Sequence, residues 1–410
     1  MRILWIKTEL LHPIDKGGRI RTYQMLRSLA RHHHVTYLAL DDGQAAPDAL
    51  ARAKEYAQEV VVVPFQPAAK LSPAFFADLL RNLFSPLPYA IARYRSPKLR
   101  EQIQRLGSDA DLIVCDFLTP SLNVPDGLPA PVILFQHNVE AMIWQRHAAV
   151  PQNPLRRAYM RIQWRRMLRH EAAECRRFSY VVGVSEIDAD LMRHHYSLAS
   201  VGHVPTGVDL EYFTSAQPRP TDNPELVFVG SMDWMPNDDG IRWFAAEVFG
   251  RVQQLVPGAK LTVVGRSPSQ GMRELAARNS DIEVTGAVPD VRPYLERAAI
   301  SVVPLRVGGG TRLKIYEAMA MGAPVVSTTI GAEGLPVRNE EHMLIADTPD
   351  AQAVAISGLL KDRARADRLA GNALRFVREH GSWDAVAEQF LSQCVTVREA
   401  HTVALKDLLA

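Results

Sequence analysis

The residues best suited to chemistry lie in the segment 308–317, which reads GGGTRLKIYE. Its glycines precede a helical pattern, so free main-chain amides and the positive end of a helix dipole meet at one spot, which suits a diphosphate. Arg306, Arg312 and Lys314 can add positive charge there. Glu317 lies about one turn into the helix, where its carboxylate can accept hydrogen bonds from ribose hydroxyls. Three glycines alone fit a solvated turn equally well.

Three more strand ends in the second half of the chain carry glycine. Gly230, Gly265 and Gly286 each follow a short apolar run. Glycine at a strand end lets the backbone approach a ligand closely and leaves amides free. We therefore expect these positions to border the same ligand as the segment 308–317.

The first half of the chain offers a second set of candidates. Gly17 and Gly18 follow the first apolar run and precede a helical pattern, which also fits a plain strand-to-helix turn. Arg19 and Arg21 start that helix and are candidates for contact with an acidic or phosphorylated ligand. His137, followed by Asn138, ends another apolar run, although a lone histidine more often makes a structural hydrogen bond.

Short apolar runs bounded by glycine, proline or aspartate must position these residues. Runs rich in Val and Ile are typical of buried parallel strands, and helical patterns separate them, which predicts an α/β fold with helices on both faces of each sheet. The runs cover residues 3–6, 35–40, 60–65, 112–115, 132–135 and 180–184 in the first half, and 226–229, 261–264, 282–285, 300–305, 325–327 and 343–346 in the second.

A proline-rich polar stretch at residues 215–224 divides the two series of runs. We expect two doubly wound Rossmann-like domains, 1–210 and 222–384, facing a cleft. The helical tail at about 385–410 is expected to pack back on the first domain. Ligands of such sheets bind at the carboxyl ends of the strands, so the cleft is the expected site.

Composition excludes several classes of protein. The chain has 410 residues, 47% hydrophobic and 22% charged, as in ordinary globular proteins, and its net charge of +2 does not favour nucleic acid. The three cysteines are far apart, which argues against a disulfide framework or a zinc site. We expect no metal, no signal peptide and no membrane-spanning helix, and hence a cytoplasmic protein.

The stretch 303–326, VPLRVGGGTRLKIYEAMAMGAPVV, resembles the signature of the retaining family 4 of GT-B glycosyltransferases. Supporting resemblances are found at 228–237, 261–265, 284–291 and 381–383, and the first half is similar through DKGGR at 15–19. The resemblance covers essentially the whole chain, and its glycine string is similar to an exopolysaccharide-type subgroup.

The resemblance implies a nucleotide-sugar donor held by the domain 222–384 without a required metal, with the domain 1–210 on the acceptor side. Gly310, Thr311 and Lys314 are then expected at the diphosphate, and Glu317 at the ribose. The full set of implied donor-binding residues is Gly17, Gly18, Gly230, Asn237, Gly265, Gly286, Val288, Arg306, Gly309, Gly310, Thr311, Arg312, Lys314 and Glu317. His137, Lys314 and Glu317 are the expected catalytic residues, and Arg19, Arg21, His137 and Asn138 the acceptor-side ones.

Two positions depart from the family pattern. Family members commonly have two glutamates eight positions apart, and the position eight before Glu317 is Gly309. The first glutamate contacts the donor sugar in many members, so its absence leaves sugar recognition open. The Arg and Lys pair that often follows the Gly230 loop is also absent, which leaves phosphate binding to Arg306, Arg312 or Lys314.

The function indicated is sugar transfer to a glycan or lipid-linked acceptor with retention of configuration, in the synthesis of exopolysaccharide or another surface glycan. A nucleotide-sugar epimerase of the same fold and a degenerate nucleotide-sugar-binding scaffold are the alternatives. The epimerase needs further acids and histidines at the cleft. The scaffold is supported only by the missing glutamate and opposed by the retained Lys314 and Glu317.

Arginines cluster in one helical stretch of the first half, at 156, 157, 161, 165, 166, 169, 176 and 177, with 146 and 193 on either side. As a helix this stretch is basic and amphipathic, which fits peripheral docking on an anionic membrane at its inner face. A solvated or internally paired helix is the alternative interpretation.

Overall fold

The computed structural model describes residues 1–14, 16–69, 71–149, 153–215, 223–307 and 313–409. The chain forms two compact units. One consists of Met1–Val204 together with Val386–Ala410, and the other of Pro205–Ala385. Each unit is built on one parallel sheet, so the predicted α/β class with two doubly wound Rossmann-like sheets is confirmed.

The first unit has a seven-stranded sheet in the order β3-β2-β1-β4-β5-β6-β7, with all neighbours parallel. The strands are β1 Arg2–Lys7, β2 His34–Asp41, β3 Glu59–Pro64, β4 Leu112–Asp116, β5 Val132–Phe135, β6 Tyr180–Gly183 and β7 Val201–His203. No apolar run had predicted β7, because it has only three residues and includes a glycine.

Helices cover this sheet and connect its strands. They are α1 Gly17–Leu29, α2 Ala49–Arg52, α3 Pro73–Leu83, α4 Tyr89–Ala92, α5 Pro97–Gly107, α6 Glu140–Ala149, α7 Pro154–Arg177, α8 Glu186–Tyr196 and, after the second unit, α17 Trp383–Leu409, with 3-10 turns at Ala53–Glu55 and Ser121–Asn123.

The second unit has a six-stranded parallel sheet in the order β10-β9-β8-β11-β12-β13. Its strands are β8 Glu225–Val229, β9 Lys260–Val264, β10 Ile282–Gly286, β11 Ile300–Val303, β12 Val325–Ser327 and β13 Leu344–Ile345. Its helices are α9 Met235–Trp243, α10 Phe249–Leu255, α11 Gln270–Arg278, α12 Arg292–Arg297, α13 Leu313–Ala320, α14 Thr329–Ala332, α15 Pro349–Lys361 and α16 Arg363–His380, with a π-helical turn at Phe244–Val248.

The strand order reverses once in each sheet, between β1 and β4 in the first and between β8 and β11 in the second. The crossover helices leave in opposite directions on the two sides of this point, so a crevice opens outside the carboxyl ends of these strands. Every residue of β4 and β5 is buried, which explains why their sequences are continuous apolar runs. The crevices are therefore held by rigid strands.

The C-terminal helix α17 completes the core of the first unit. Phe390 packs edge-on against Trp5 of β1 and Phe135 of β5, with ring centroids 5.8 and 5.1 Å apart. Gln393 donates to the main-chain carbonyl of His203 in β7 at 2.9 Å. This helix is thus part of the first unit's structure, although the second unit precedes it in the chain.

The three cysteines are buried free thiols. Across the described part of the chain, no helix combines the length and the apolar character that membrane crossing needs.

Candidate functional site

In the second unit, Lys314 reaches from α13 to the carboxyl end of β8. Its Nζ donates to Oδ1 of Asn237 at 2.7 Å and lies 4.3 Å from the centroid of the Phe228 ring. Asn237 is itself held, because its Nδ2 donates to the carbonyl of Ser231 at 2.8 Å. A Cβ at Gly230 would come within 2.6 Å of the Lys314 Nζ and 2.8 Å of the Asn237 Nδ2. A glycine at 230 therefore makes room for this ammonium group.

Glycines also join the ends of the neighbouring strands. A Cβ at Gly265 would lie only 1.9 Å from the carbonyl oxygen of Gly230, so no side chain fits there. The amide of Gly265 donates to the carbonyl of Gly286 at 3.1 Å, and Gly286 has a φ of +73°, which favours glycine. Val288 follows and packs, partly buried, against the core. The structure thus brings Gly230, Gly265 and Gly286 to one edge of the sheet.

Glu317 lies on α13 one turn after Lys314 and is partly buried. Burial raises the pKa of its carboxyl group to about 7, and the positive charge of Lys314 opposes that rise. Hydroxyl donors on a bound molecule would favour the ionised form. The group can thus accept hydrogen bonds from a ligand at neutral pH.

Arg306 follows β11 and already has a partner. Its guanidinium donates to both carboxylate oxygens of Asp239 on α9, at 2.7 and 3.1 Å, and lies 5.4 Å from the ring of Trp243. Contact with phosphate would require the guanidinium to share or exchange Asp239. Its phosphate role stays a prediction.

Four of the predicted donor-binding residues, Gly309, Gly310, Thr311 and Arg312, lie outside the described residues. Their roles likewise stay predictions.

The first unit has a buried charged network at the point where its strand order reverses. Asp116, the last residue of β4, accepts a hydrogen bond at Oδ2 from Lys7 Nζ at 2.9 Å, where β1 ends. The same oxygen accepts from the Thr22 hydroxyl at 2.6 Å and the Trp5 indole at 2.9 Å. Its Oδ1 pairs with Nε2 of His137 at 2.7 Å. Asp116 and Lys7 were not predicted. Asp116 does end an apolar run, and a position of that kind is what singled out His137 in the sequence.

The protonation state of each group in this network depends on its charged neighbours. Burial alone would raise the pKa of Asp116, but Lys7, His137 and the hydrogen bonds outweigh it and hold the pKa below its ordinary value. Burial lowers the pKa of His137 to about 3, against the opposing effect of Asp116. An ionised Asp116 can only accept, so Nε2 of His137 carries the ring proton and Nδ1 keeps a lone pair. His137 is thus a neutral ring that donates through Nε2 to Asp116 and can accept a hydrogen bond at Nδ1.

Phe117 connects this network to the start of α1. It has a φ of +73°, a conformation that is strained for a residue with a side chain. Its ring stacks on His137 with centroids 3.8 Å apart, and Lys7 Nζ lies 4.3 Å from its centroid. A Cβ at Gly18 would come within 2.8 Å of the Phe117 ring. Gly18 thus lets the helix start pack directly on this ring.

The predicted acceptor-side arginines are both engaged within the protein. Arg21 is 2% exposed, donates to the carbonyls of Gln136 and Val204 at 3.1 and 2.7 Å, and has its pKa lowered to about 10 by burial. Arg19 bonds to the carboxylate of Glu9 at 2.7 Å. The burial of Arg21 argues against direct contact with an acceptor, and its predicted role remains untested.

The remaining predicted residues of the first unit are also placed. Gly17 begins α1 after Lys16, which makes no side-chain capping bond, so the first amides of this helix have no such cap. Asn138 follows His137 and is partly buried. Both lie on the stretches that lead away from the carboxyl ends of β1 and β5.

Glu171, on the arginine-rich helix α7, supports the segment after His137 and was not predicted. Its carboxylate accepts from the amides of Glu140 and Ala141 at 2.9 and 2.8 Å, where α6 begins. It also accepts from the Tyr196 hydroxyl at 2.7 Å. The only sequence signal was an acid on the buried face of α7 between Met167 and Cys175. Among the described residues, no His, Cys, Asp or Glu cluster could hold a metal ion.

Two family models match the chain. Residues 16–212 match the model described as Glycosyltransferase Family 4, and residues 223–362 match Glycosyl transferases group 1. The chain is 22% identical to an uncharacterized 44.6 kDa protein in the cps region of Klebsiella pneumoniae, over 92% of this chain and 96% of the relative. It is 28% identical to a D-inositol 3-phosphate glycosyltransferase of Xylanimonas cellulosilytica, over 52% of this chain and 55% of the relative.

Solved structures share the fold. Sucrose-phosphate synthase from Thermosynechococcus elongatus aligns with a TM-score of 0.71 and 21% identity, over 98% of this chain and 100% of the other. The Anabaena protein Alr3699/HepE in complex with UDP aligns with a TM-score of 0.69 and 14% identity, over 97% of this chain and 100% of the other.

We expect the His137 ring to be neutral at pH 5, because burial lowers its pKa from 6.5 to about 3. NMR titration of the histidine side chains measures this, with His137→Asn used to assign the signal. A His137 ring that gains its proton near pH 6.5 would contradict the expectation. Since the unfolded chain binds this proton first as the pH falls from 6.5 to 3, the free energy of unfolding also decreases in that window, by at most about 1.4 kcal/mol per pH unit.

Proposed function

Because the chain belongs to the group 1, family 4 glycosyltransferases, we propose that it moves a sugar from a nucleotide-sugar donor to a glycan or lipid-linked acceptor with retention of configuration. The observation that carries this proposal is the position of Lys314, bonded to Asn237 over Gly230 at the end of β8 with Glu317 one turn further along α13. A cation and a carboxyl group so arranged match the two ends of a ribose diphosphate.

The donor is proposed to lie along the carboxyl ends of the second unit's strands. The ammonium of Lys314 contacts the diphosphate, and the glycine string, through Gly309, Gly310 and Thr311, adds main-chain amides. Glu317 accepts hydrogen bonds from the ribose hydroxyls, and Gly265, Gly286 and Val288 border the nucleobase. Arg306 and Arg312 supply further positive charge.

Transfer is proposed to occur by front-side displacement. The acceptor oxygen bonds to the anomeric carbon on the face from which the diphosphate departs, and the bond from that carbon to the phosphate oxygen breaks. The departing diphosphate takes the acceptor's proton, so no separate base is required. The protein then accelerates the reaction by positioning the reactants and stabilising the phosphate charge through Lys314.

His137 is proposed to contact the donor sugar or the acceptor. Its ring is held by Asp116 at 2.7 Å and stacked on Phe117, so its orientation is determined before any ligand binds. With Nε2 committed to Asp116, Nδ1 is the atom that accepts a hydrogen bond from a sugar hydroxyl. Asn138, Gly17, Gly18 and Arg19 are proposed to border the same region.

The biological setting proposed is the synthesis of an exopolysaccharide or another surface glycan, by a hexosyltransferase at the inner face of a membrane. The similarity to a protein in the Klebsiella pneumoniae cps region supports this setting. The similarity to a D-inositol 3-phosphate glycosyltransferase supports sugar transfer more generally.

The first test is a thermal-shift screen with UDP-, GDP-, ADP- and TDP-sugars, followed by turnover of any sugar nucleotide that stabilises the chain. A bound donor raises the unfolding temperature by mass action. We expect one base to do so, and the enzyme then to release the nucleoside diphosphate, by hydrolysis or by transfer to an acceptor. Isomerisation of the sugar without release would instead indicate an epimerase, and binding without turnover a scaffold.

Glu317→Ala is expected to weaken donor binding about 10- to 100-fold, since hydrogen bonds to a charged group contribute about 1.5–3 kcal/mol. Isothermal calorimetry with the donor found in the screen measures the effect. The matched control is Glu379→Ala, at an exposed position on α16. Unchanged affinity in a folded Glu317→Ala protein would remove the proposed ribose contact.

Gly230→Ala is expected to weaken nucleoside diphosphate binding about tenfold, because the added methyl group displaces the Lys314 ammonium from Asn237. Gly250→Ala is the control, since a Cβ there meets no atom within 4 Å. Calorimetry with the free nucleoside diphosphate isolates the phosphate contact from sugar binding. Equal affinities for Gly230→Ala and Gly250→Ala would contradict the role given to Lys314.

A further inference from the structure

Helix α3 exposes its apolar side. Phe76, Leu80 and Leu83 recur at helical spacing and form a single stripe, which Phe84 extends beyond the helix end. Their exposed fractions are 51% for Phe76, 62% for Leu80 and 93% for Phe84. A surface helix of a globular protein normally turns such a stripe towards the core. Here the described residues leave the stripe exposed to solvent, as is typical of an interaction surface.

One flank of α3, next to the stripe, is packed against the rest of the first unit, and these contacts fix the rotation of the helix. Phe75 meets the ring of Tyr89 edge-on with centroids 5.7 Å apart. Asn82 is buried, where its Nδ2 donates to the carbonyl of Leu87 at 3.0 Å and its Oδ1 accepts from Gln163 of α7 at 3.1 Å. The exposed stripe is therefore a fixed feature of this face.

The arginine-rich helix α7 lies directly beside the end of α3. Arg166 donates to the carbonyls of Asn82 and Leu83, both at 2.7 Å, and so caps α3 at its carboxyl end. Ile162, one turn earlier on α7, is exposed on the side that faces this junction. Ile162 thus adds an exposed apolar side chain on the face of α7 that contacts the end of α3.

The helix that contacts the end of α3 also carries exposed positive charge. Exposed arginines stand on α7 at Arg156, Arg157, Arg161, Arg165 and Arg169, and residues 154–170 include no aspartate or glutamate. On α3, Asp78 is paired with the exposed Arg81 at 3.3 Å. We call the surface formed by Phe76, Leu80, Leu83, Phe84 and Ile162 with these arginines the α3–α7 face.

We propose that the α3–α7 face docks on an anionic lipid bilayer, with the phenylalanine and leucine side chains inserted at the headgroup level and the arginines on the lipid phosphates. Apolar side chains flanked by arginine match both layers of such a surface. A second copy of the chain is a poorer partner, because a symmetric contact brings the same patch on both copies together and opposes arginine to arginine. The proposal extends the peripheral location proposed above and is independent of the transfer chemistry.

Both components of the α3–α7 face contribute to the expected affinity. Each arginine near an anionic surface adds about fivefold to the partition coefficient. Each large apolar side chain moved from water into the interface adds about tenfold. Binding should therefore depend on the anionic lipid, fall with added salt, and require both the stripe and the arginines.

Co-sedimentation with vesicles tests this, using phosphatidylcholine alone or mixed with anionic phosphatidylglycerol. One variant combines Phe76→Ser, Leu80→Ser and Phe84→Ser, and another combines Arg161→Glu with Arg165→Glu. Each is expected to lower partitioning onto anionic vesicles at least about tenfold. The controls are Val354→Ser for the apolar change and Arg375→Glu with Arg378→Glu for the charge change, all at exposed positions on α15 and α16.

Two results together support the proposal. The unmodified chain binds vesicles only when they contain phosphatidylglycerol, and both α3–α7 variants lose this binding while both controls keep it. No binding, or binding that neither variant alters, overturns it. Analytical ultracentrifugation tests for self-association, and a dimer of the unmodified chain that only the α3 variant dissociates would assign the stripe to a second copy and also overturn the proposal. Turnover of a water-soluble acceptor is expected to survive in both variants, so loss of docking and loss of the proposed transferase activity are separable.

Discussion

The buried carboxylate of Asp116 organises the first unit's candidate site. An isolated buried charge is strongly unfavourable, so it must be surrounded by donors. Lys7 and Trp5 come from β1, Thr22 from α1 and His137 from the end of β5, so one carboxylate ties three strands and a helix together. All of these partners are needed to offset the cost of removing the Asp116 carboxylate from water. The orientation of the His137 ring is therefore set when the strands of this sheet edge come together.

The candidate site of the second unit is held together mainly by backbone contacts and one ammonium group. Its strand ends meet through glycine backbones, and the Lys314 ammonium rests on Asn237 and the Phe228 ring. That arrangement suits an anionic ligand, since a neutral amide and an aromatic face hold a cation without cancelling its charge. The glycine at position 309 agrees with the proposal that this unit binds a nucleotide through phosphate and ribose, with the choice of sugar left to other groups.

The two sides of helix α7 have different roles. The inner side of α7 carries Glu171, which holds the start of α6 near His137, while Arg166 caps α3 and the outer arginines remain exposed. The basic stretch was recognisable in the sequence, and what the structure describes is the solvated and internally paired helix, because Arg166 is internally bonded and other arginines face solvent. The apolar stripe beside it was not foreseen, since α3 alone resembles any amphipathic helix whose apolar side faces a core.

By itself, the sequence determined the α/β class and the positions of nearly all strands, because apolar runs and glycine at strand ends are local properties of the chain. It also pointed to Lys314, Gly230 and Asn237, which the tertiary structure brings within bonding distance. Only the tertiary structure decided that Asp116 pairs with Lys7, that Arg21 turns inward and that α3 turns its apolar side outward. Partners more than a hundred residues apart, such as Lys7 and Asp116, leave no trace in local spacing, because their pairing arises only when parallel strands align.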